Sequence, residues 1–184
     1  MAPIQPKTIK ARTGEEVVIR TAQPDDAAAL LAYIHCIASE PELTILEPDE
    51  FPATEEKERQ WVQDHLDHPG KIVLVAEASG TIIGGLSFEN GANRRTAHRG
   101  SFGISLLKEW RGRGVGTAML ETLLEWATAN PIIEKVSSDV SSTNQGAIRL
   151  YKRLGFVEEG LRPKEIKFGP GRYVDGVAMY KFVK

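Results

Sequence analysis

The chain has 184 residues, of which 41% are hydrophobic and 26% charged, and its formal net charge is −2. This length and composition fit one globular domain, and the charge argues against a nucleic-acid binder that works through bulk positive charge. No apolar run approaches the roughly 18 residues of a membrane span, and the first residues lack the apolar stretch of a signal peptide. A single cysteine, Cys36, excludes an internal disulfide. We therefore expect a soluble cytoplasmic protein without a membrane or nucleic-acid partner.

The N-terminal part of the chain divides into a leader and the first elements of the domain. Residues 1–12 are rich in proline and lysine, which predicts a flexible leader before a single domain at 13–184. A β-rich run, two helical periods and an acidic, proline-containing stretch follow. They predict a strand at Val17–Arg20, a helix at Ala27–Ala38, a loop at 39–53 and a helix from Thr54 to about His68.

The rest of the chain alternates strands with two further amphipathic helices. Strands are predicted at Lys71–Glu77, Thr81–Glu89, Ala97–Leu106, Lys135–Val140, from Phe156 and at Tyr173–Val183. Helices are predicted at Gly114–Ala129, with one continuous apolar face, and at Asn144–Leu154, closed by Gly155. The order β-α-α-β-β-β-α-β-α-β-β indicates an α/β fold with a mixed sheet.

A glycine-rich loop joins the strand that ends near Leu106 to the next helix. Its sequence, Arg111-Gly112-Arg113-Gly114-Val115-Gly116-Thr117, allows close approach of the backbone to a ligand. The free N–H groups and positive dipole end of the helix form an anion site, to which two arginines add charge. A pyrophosphate is the ligand that this arrangement favours.

Two other glycine motifs do not fit this loop. A Walker loop needs Gly-Lys followed by serine or threonine, whereas Gly70-Lys71 is followed by Ile72. A dinucleotide fingerprint counted from Gly112 would need glycine where Thr117 stands. A turn that merely starts a helix remains open on the loop alone.

A second motif lies downstream and contains Asn144, Ala147, Tyr151, Gly155 and Phe156. Together with the glycine loop it resembles the GCN5-related N-acetyltransferases, in particular the branch with ribosomal-protein N-terminal and small-amine acetyltransferases. The coenzyme A signature of that family, Arg/Gln-x-x-Gly-x-Gly/Ala, is matched by Arg111, Gly114 and Gly116. Its second signature is matched by Asn144, Ala147, Tyr151, Gly155 and Phe156. The resemblance implies a single domain with a central, mixed but mostly antiparallel twisted sheet of about six to seven strands, flanked by about four helices.

The same resemblance implies an acetyl-CoA-dependent N-acetyltransferase that moves the acetyl group directly to a primary amine. The pantetheine arm would pair with the strand before the loop, where a backbone N–H would hold the developing oxyanion. The implied coenzyme-binding residues are Phe102, Gly103, Ile104, Ser105, Leu106, Arg111, Gly112, Arg113, Gly114, Val115, Gly116, Thr117, Asn144, Ala147 and Tyr151. No metal is implied, and a homodimer is left open.

Tyr151 fits the general acid that protonates the departing thiolate, although its spacing alone is that of a core aromatic residue. The general base is less well defined. Some relatives carry a glutamate where this sequence has Ser101, which is a poor base. Glu89 and Asp175 are the substitutes, and a water chain to solvent is the alternative.

The acceptor is an amine, as a small molecule or a peptide N-terminus, and the sequence leaves its charge open. An acidic stretch between the first two helices, Glu40 to Glu58, is suited to a cationic amine or is a solvated loop. The basic run Arg94-Arg95, with Arg99, would instead favour a carboxylate-bearing acceptor. A non-catalytic coenzyme A-binding regulatory module is the alternative function.

Overall fold

The computed structural model describes residues 3–40 and 54–184. Four α-helices lie in this part of the chain: α1 (Ala27–Ala38), α2 (Glu55–Asp67), α3 (Val115–Ala129) and α4 (Gln145–Arg153). The strands are β1 (Lys7–Lys10), β2 (Glu16–Thr21), β3 (Lys71–Ala78), β4 (Thr81–Asn90), β5 (Arg99–Leu106), β6 (Lys135–Ser141), β7 (Val157–Gly169) and β8 (Arg172–Phe182). No helix in the described residues is long and apolar enough to cross a membrane.

The eight strands of the described chain form one sheet in the order β1-β2-β3-β4-β5-β6-β8-β7. Every neighbouring pair is antiparallel except β5 and β6, which are parallel. This confirms the predicted mixed, mostly antiparallel α/β fold and the order of its elements. The predicted loop at 39–53 lies largely outside the described residues.

β1 is the strand that sequence analysis missed. The flexible leader predicted for 1–12 is wrong at Lys7–Lys10, which pair antiparallel with Glu16–Ile19 of β2. Ile9 packs against the main core. Four residues with one apolar side chain carry little periodic signal, and only pairing with β2 makes this segment a strand.

The helices cover both faces of the sheet. On one face, Leu30, Tyr33 and Ile37 of α1 and Val62 of α2 form a core with β3. On the other face, α3 and α4 pack into the larger core through buried side chains such as Met119, Leu123 and Ile148. A three-layer α/β/α arrangement follows, in which a site between strands can be reached from either face.

The sheet opens between its two central parallel strands. β5 and β6 pair only where Arg99–Ser101 face Lys135–Ser137, although both strands continue beyond that point. β5 stays paired with β4 as far as Leu106. The edge of β5 from Phe102 onward therefore faces a gap rather than β6, so backbone groups there are available to a ligand.

Candidate active site

Two clefts meet at the gap between β5 and β6. The first, the α3–α4 cleft, has a volume of about 410 Å³ and is lined by the starts of α3 and α4 and by the end of β5. The second, the α1–α2 cleft, has a volume of about 400 Å³ and is lined by α1, α2 and the central strands. Five residues line both clefts and form their shared wall: Ile37, Ile104, Ser105, Asn144 and Tyr151.

The start of α3 forms one end of the α3–α4 cleft. Gly112 and Gly114 take positive φ angles of 74° and 94°, a conformation that favours glycine, and Gly114 is the N-cap of α3. The N–H groups of the first helical turn have no intrahelical acceptor. Gly116 and Thr117 also line the cleft. These groups have the geometry of the anion site that the sequence predicts.

The arginines that line this cleft are only partly those of the glycine loop. Arg12, Arg149 and Arg153 line it in addition to Arg111. The Arg111 guanidinium donates to both carboxylate oxygens of Glu40 at 2.7 and 2.8 Å, and to the carbonyl oxygen of Leu106 at 2.9 Å. This contact holds the pKa of the Glu40 carboxyl below its usual range. Arg111 therefore shapes the cleft while most of its charge is balanced.

Four predicted coenzyme residues do not line the α3–α4 cleft: Phe102 and Gly103 line the α1–α2 cleft instead, and Arg113 and Val115 line neither cleft. Arg113 donates to Glu15 at 2.9 Å and lies over the Trp110 ring. The Val115 side chain is fully buried in the core. The structure therefore brings the glycines and Thr117 of the loop to the cleft, but not the side chains of Arg113 and Val115.

Tyr151 reaches the shared wall from α4. It is 4% exposed, and its ring lies 5.3 Å from the Phe102 ring and 5.7 Å from the Phe156 ring, between ring centroids. Burial raises the pKa of the Tyr151 phenol to about 12, and a hydrogen bond with Ser138 opposes this rise. The phenol is therefore fully protonated at neutral pH and is a hydrogen-bond donor at the junction of the clefts.

Asn144 positions the helix that carries Tyr151. Its side-chain oxygen accepts a hydrogen bond from the Ala147 N–H at 3.1 Å, so Asn144 is the N-cap of α4. Both residues line the α3–α4 cleft.

The two predicted general bases do not line either cleft. The Glu89 carboxylate accepts a hydrogen bond from Lys71 Nζ at 2.8 Å and lies 3.1 Å from His65 Nε2. The hydrogen bond from Lys71 is the main cause of the lowered pKa of this carboxyl. Asp175 accepts from the Lys164 N–H at 2.7 Å. Both carboxylates are therefore engaged in contacts within the fold. The lowered pKa also makes Glu89 a weaker base.

This geometry agrees with comparisons to known proteins. Residues 40–156 match the Acetyltransferase (GNAT) family. The chain belongs to this family. A crystal structure of a GNAT acetyltransferase from Streptococcus pneumoniae is 30% identical, with a TM-score of 0.87 over 90% of this chain and 99% of that one. Membership confirms the predicted acetyl-CoA-dependent acetyltransferase and favours catalysis over the non-catalytic module.

Two relatives by sequence act on amines, according to their names. The L-amino acid N-acetyltransferase AaaT of Escherichia coli (strain K12) is 29% identical over 89% of this chain and 96% of its own length. The spermidine N(1)-acetyltransferase of Vibrio cholerae is also 29% identical, over 72% of this chain and 73% of its own length. These names are consistent with the predicted GNAT branch.

Two residues of the α1–α2 cleft were not predicted as site residues. The Tyr33 phenol accepts from the Gly85 N–H at 3.0 Å and lies 2.6 Å from Ser105 Oγ on the shared wall. Glu58 on α2 lines the same cleft. Each stands at an ordinary helical position in the sequence, where an inward-facing tyrosine or glutamate carries no signal of a ligand. The acidic run around Glu58 was the one indication, and its members at 42–50 lie outside the described residues.

Proposed function

We propose that this GNAT protein transfers the acetyl group of acetyl-CoA directly to a primary amine that binds in the α1–α2 cleft. The observation that carries the proposal is the shared wall, where the unpaired edge of β5 and the buried Tyr151 meet both clefts. Two substrates that enter from opposite clefts would touch at this wall, so no covalent enzyme intermediate is needed.

The α3–α4 cleft suits the coenzyme. We expect its phosphates at the N–H groups of α3, with charge supplied by Arg12, Arg149 and Arg153. The pantetheine arm would extend the sheet along the unpaired edge of β5, Phe102–Leu106. This places the thioester beside Ile104 and Ser105, where a backbone N–H of β5 polarises its carbonyl.

Tyr151 would act on the departing sulfur. With a pKa of about 12, the phenol gives up its proton less readily than an ordinary tyrosine. Its hydrogen bond still stabilises negative charge as it develops on sulfur, and a thiolate that has lost its hydration in the cleft is a stronger base than in water. Tyr151 therefore serves as general acid toward a basic, buried leaving group.

The proton of the attacking amine needs another route. Glu89 and Asp175 lie outside both clefts, so we propose that this proton passes to water in the α1–α2 cleft. A primary amine that is neutral when it attacks then leaves as an amide, while the sulfur leaves as free thiol.

Turnover with a panel of amines tests the proposal. We expect acetyl-CoA and at least one primary amine to release free thiol together with an equal amount of acetylated amine, and a reaction without amine to measure hydrolysis alone. If the protein binds acetyl-CoA tightly but acetylates no amine in a broad panel of small amines and peptides, the non-catalytic module becomes the better description.

We further propose one acyltransferase domain over 13–184, to which β1 adds an edge strand, acting in the cytoplasm. Its net charge of −2 supports the absence of a nucleic-acid partner. Light scattering after size exclusion would decide between a monomer and the homodimer that the family resemblance leaves open.

A further inference from the structure

Glu58 is a buried carboxylate in the wall of the α1–α2 cleft. Its residue is 5% exposed, and its Oε1 has no hydrogen-bond partner among the described residues. α2 begins after Thr54, whose hydroxyl accepts from the Lys57 N–H and whose carbonyl accepts from the Glu58 N–H at 3.0 Å. The start of the helix therefore fixes the position of the Glu58 backbone on α2.

Such a group is costly to the folded protein. A buried carboxylate oxygen without a partner loses its hydration and gains no hydrogen bond in return, which disfavours the ionised form. This loss of hydration raises the pKa of Glu58. A cation that enters the cleft would restore the missing interaction, so a positively charged ligand has a specific reason to bind there.

The lining of the α1–α2 cleft also favours a positively charged ligand. No lysine or arginine of the described chain lines it, and its second carboxylate, Asp139, is paired with Arg162 at 2.9 Å. The aromatic side chains of Tyr33 and Trp61 share this lining with Glu58. An unpaired carboxylate beside aromatic rings is the environment that ammonium groups favour. Arg94, Arg95 and Arg99 do not line the cleft, so a carboxylate-bearing acceptor would meet no arginine or lysine among its described lining residues.

The position of Glu58 separates it from the reacting atoms. α2 packs on β3 and α1 packs on β4, whereas the shared wall is formed by β5, by α4 with its N-cap, and by Ile37 at the end of α1. β3 and β5 are two strand spacings apart, or about 10 Å. Glu58 lines the α1–α2 cleft only and is not part of the shared wall. It is therefore placed to hold an acceptor at the end remote from the amine that is acetylated.

We propose that Glu58 is a specificity-determining residue that binds a second cationic group of the acceptor. The acceptor class is thus a primary amine that carries a further ammonium or guanidinium group at a distance. This inference rests on the proposed function, because it takes the α1–α2 cleft as the acceptor site. Tyr33 and Trp61 would contact the aliphatic segment between the two charged ends.

The test compares linear alkane diamines of increasing length with monoamines of the same chain length. Affinities are measured by calorimetry on the protein saturated with CoA, and kcat/KM is measured with acetyl-CoA. The variants are Glu58→Gln and, as a matched control, Glu56→Gln, which removes an exposed carboxylate from the same helix. We expect the parent and Glu56→Gln to bind a diamine about ten-fold or more tighter than its monoamine.

In Glu58→Gln the preference for diamines should disappear, because diamine affinity falls while monoamine affinity does not rise. In turnover, this loss of diamine affinity should appear as a higher KM. A parent protein that does not distinguish the two amines overturns the proposal, and so does a preference that Glu58→Gln retains. A fall in kcat for diamines and monoamines alike would instead make Glu58 the proton acceptor of the reacting amine. Because binding to the CoA complex needs no turnover, failure of the proposed acetyl transfer is recorded separately.

Discussion

At the scale of single residues, Tyr151 shows how packing and chemistry coincide. Its ring belongs to an aromatic cluster with Phe102 and Phe156, while the residue also lines both clefts. A core aromatic residue and a general acid are therefore not competing interpretations. The core interactions fix the ring, and a fixed ring holds the hydroxyl in place.

Replacement of Tyr151 by phenylalanine separates the two roles. We expect Tyr151→Phe to lower kcat by about 10²–10⁴-fold with little change in acetyl-CoA affinity, because the hydroxyl acts only when charge develops on sulfur. The aromatic contacts survive, so the free energy of unfolding should change little. The matched control is Tyr180→Phe on β8, outside both clefts. Equal kcat values for parent and Tyr151→Phe would remove Tyr151 as the acid.

The raised pKa of Glu58 predicts that this residue lowers the free energy of unfolding by an amount that depends on pH. Its folded-state pKa is raised, so the folded protein holds this proton more tightly than the unfolded chain. The penalty is absent below the ordinary glutamate pKa of about 4.3 and grows as the pH rises through the raised value. Glu58→Gln should therefore stabilise the protein relative to the parent, and more so at neutral pH than at acid pH.

Urea unfolding of the parent, Glu58→Gln and Glu56→Gln between acid and neutral pH measures how their free energies of unfolding differ. The other ionisable groups of the cleft lining, Tyr33, Tyr151 and the Arg162-paired Asp139, are common to all three proteins, so their titration cancels. A stability difference that is independent of pH would contradict the raised pKa of Glu58.

At the scale of elements, the start of α3 carries the anion site. Gly114 has a φ of 94°, so any side chain there would strain the backbone. A loss of acetyl-CoA affinity in such a variant could not be separated from a loss of stability. Gly116 lies within the helix and lines the α3–α4 cleft, and a Cβ there would lie 3.4 Å from Leu106 Cδ1. Its replacement tests the cleft itself.

We expect Gly116→Leu to weaken acetyl-CoA binding at least about ten-fold, since the side chain would extend into the cleft. Helix propensity favours leucine over glycine by about 0.8 kcal/mol, which offsets local crowding. Gly116→Ala should bind nearly as well as the parent. Calorimetry gives the affinities and thermal unfolding the stability; unchanged affinity in Gly116→Leu would place the coenzyme elsewhere.

The segment after β1 adds a second element to the same cleft. Arg12 lines it, and its N–H donates to the Arg113 carbonyl at 3.0 Å, which ties the N-terminal segment to the glycine loop. Arg12→Gln should weaken acetyl-CoA binding about ten-fold, the value of one charge-assisted hydrogen bond, without lowering stability. Lys10→Gln, an exposed change on β1, is the control. Equal affinities for the two variants would exclude a role for Arg12.

At the scale of the whole molecule, the opening of the sheet lets two substrates meet. β5 and β6 part after Ser101 and Ser137, and the aromatic cluster of Phe102, Tyr151 and Phe156 packs where they separate. The gap joins a cleft on one face to a cleft on the other. In the proposed function, the shape of the sheet, rather than a loop, thus determines the direction from which each substrate would arrive.

Binding of acetyl-CoA should stabilise the entire domain, since its proposed contacts come from β5, α3, α4 and the segment after β1. At a concentration 100 times the Kd, mass action adds about 2.7 kcal/mol to the free energy of unfolding. For a domain of this size, the melting temperature should rise by about 5–10 °C. Inorganic phosphate at the same concentration should do much less. No shift at saturating acetyl-CoA would contradict the proposed α3–α4 site.

The sequence alone determined the order of the elements other than β1, the glycine loop and the motif around Tyr151. These signals are local, because they rest on periodicity, capping and glycine conformation within a few residues. The tertiary structure decided which charges reach the site. Arg111 meets Glu40 from 71 residues away, and Glu89 meets Lys71 and His65, so neither Arg111 nor Glu89 is free. Glu58 Oε1 is buried without a hydrogen-bond partner among the described residues. The strength and role of a charge depend on its distance to other charges and to water, and only the folded chain determines those distances.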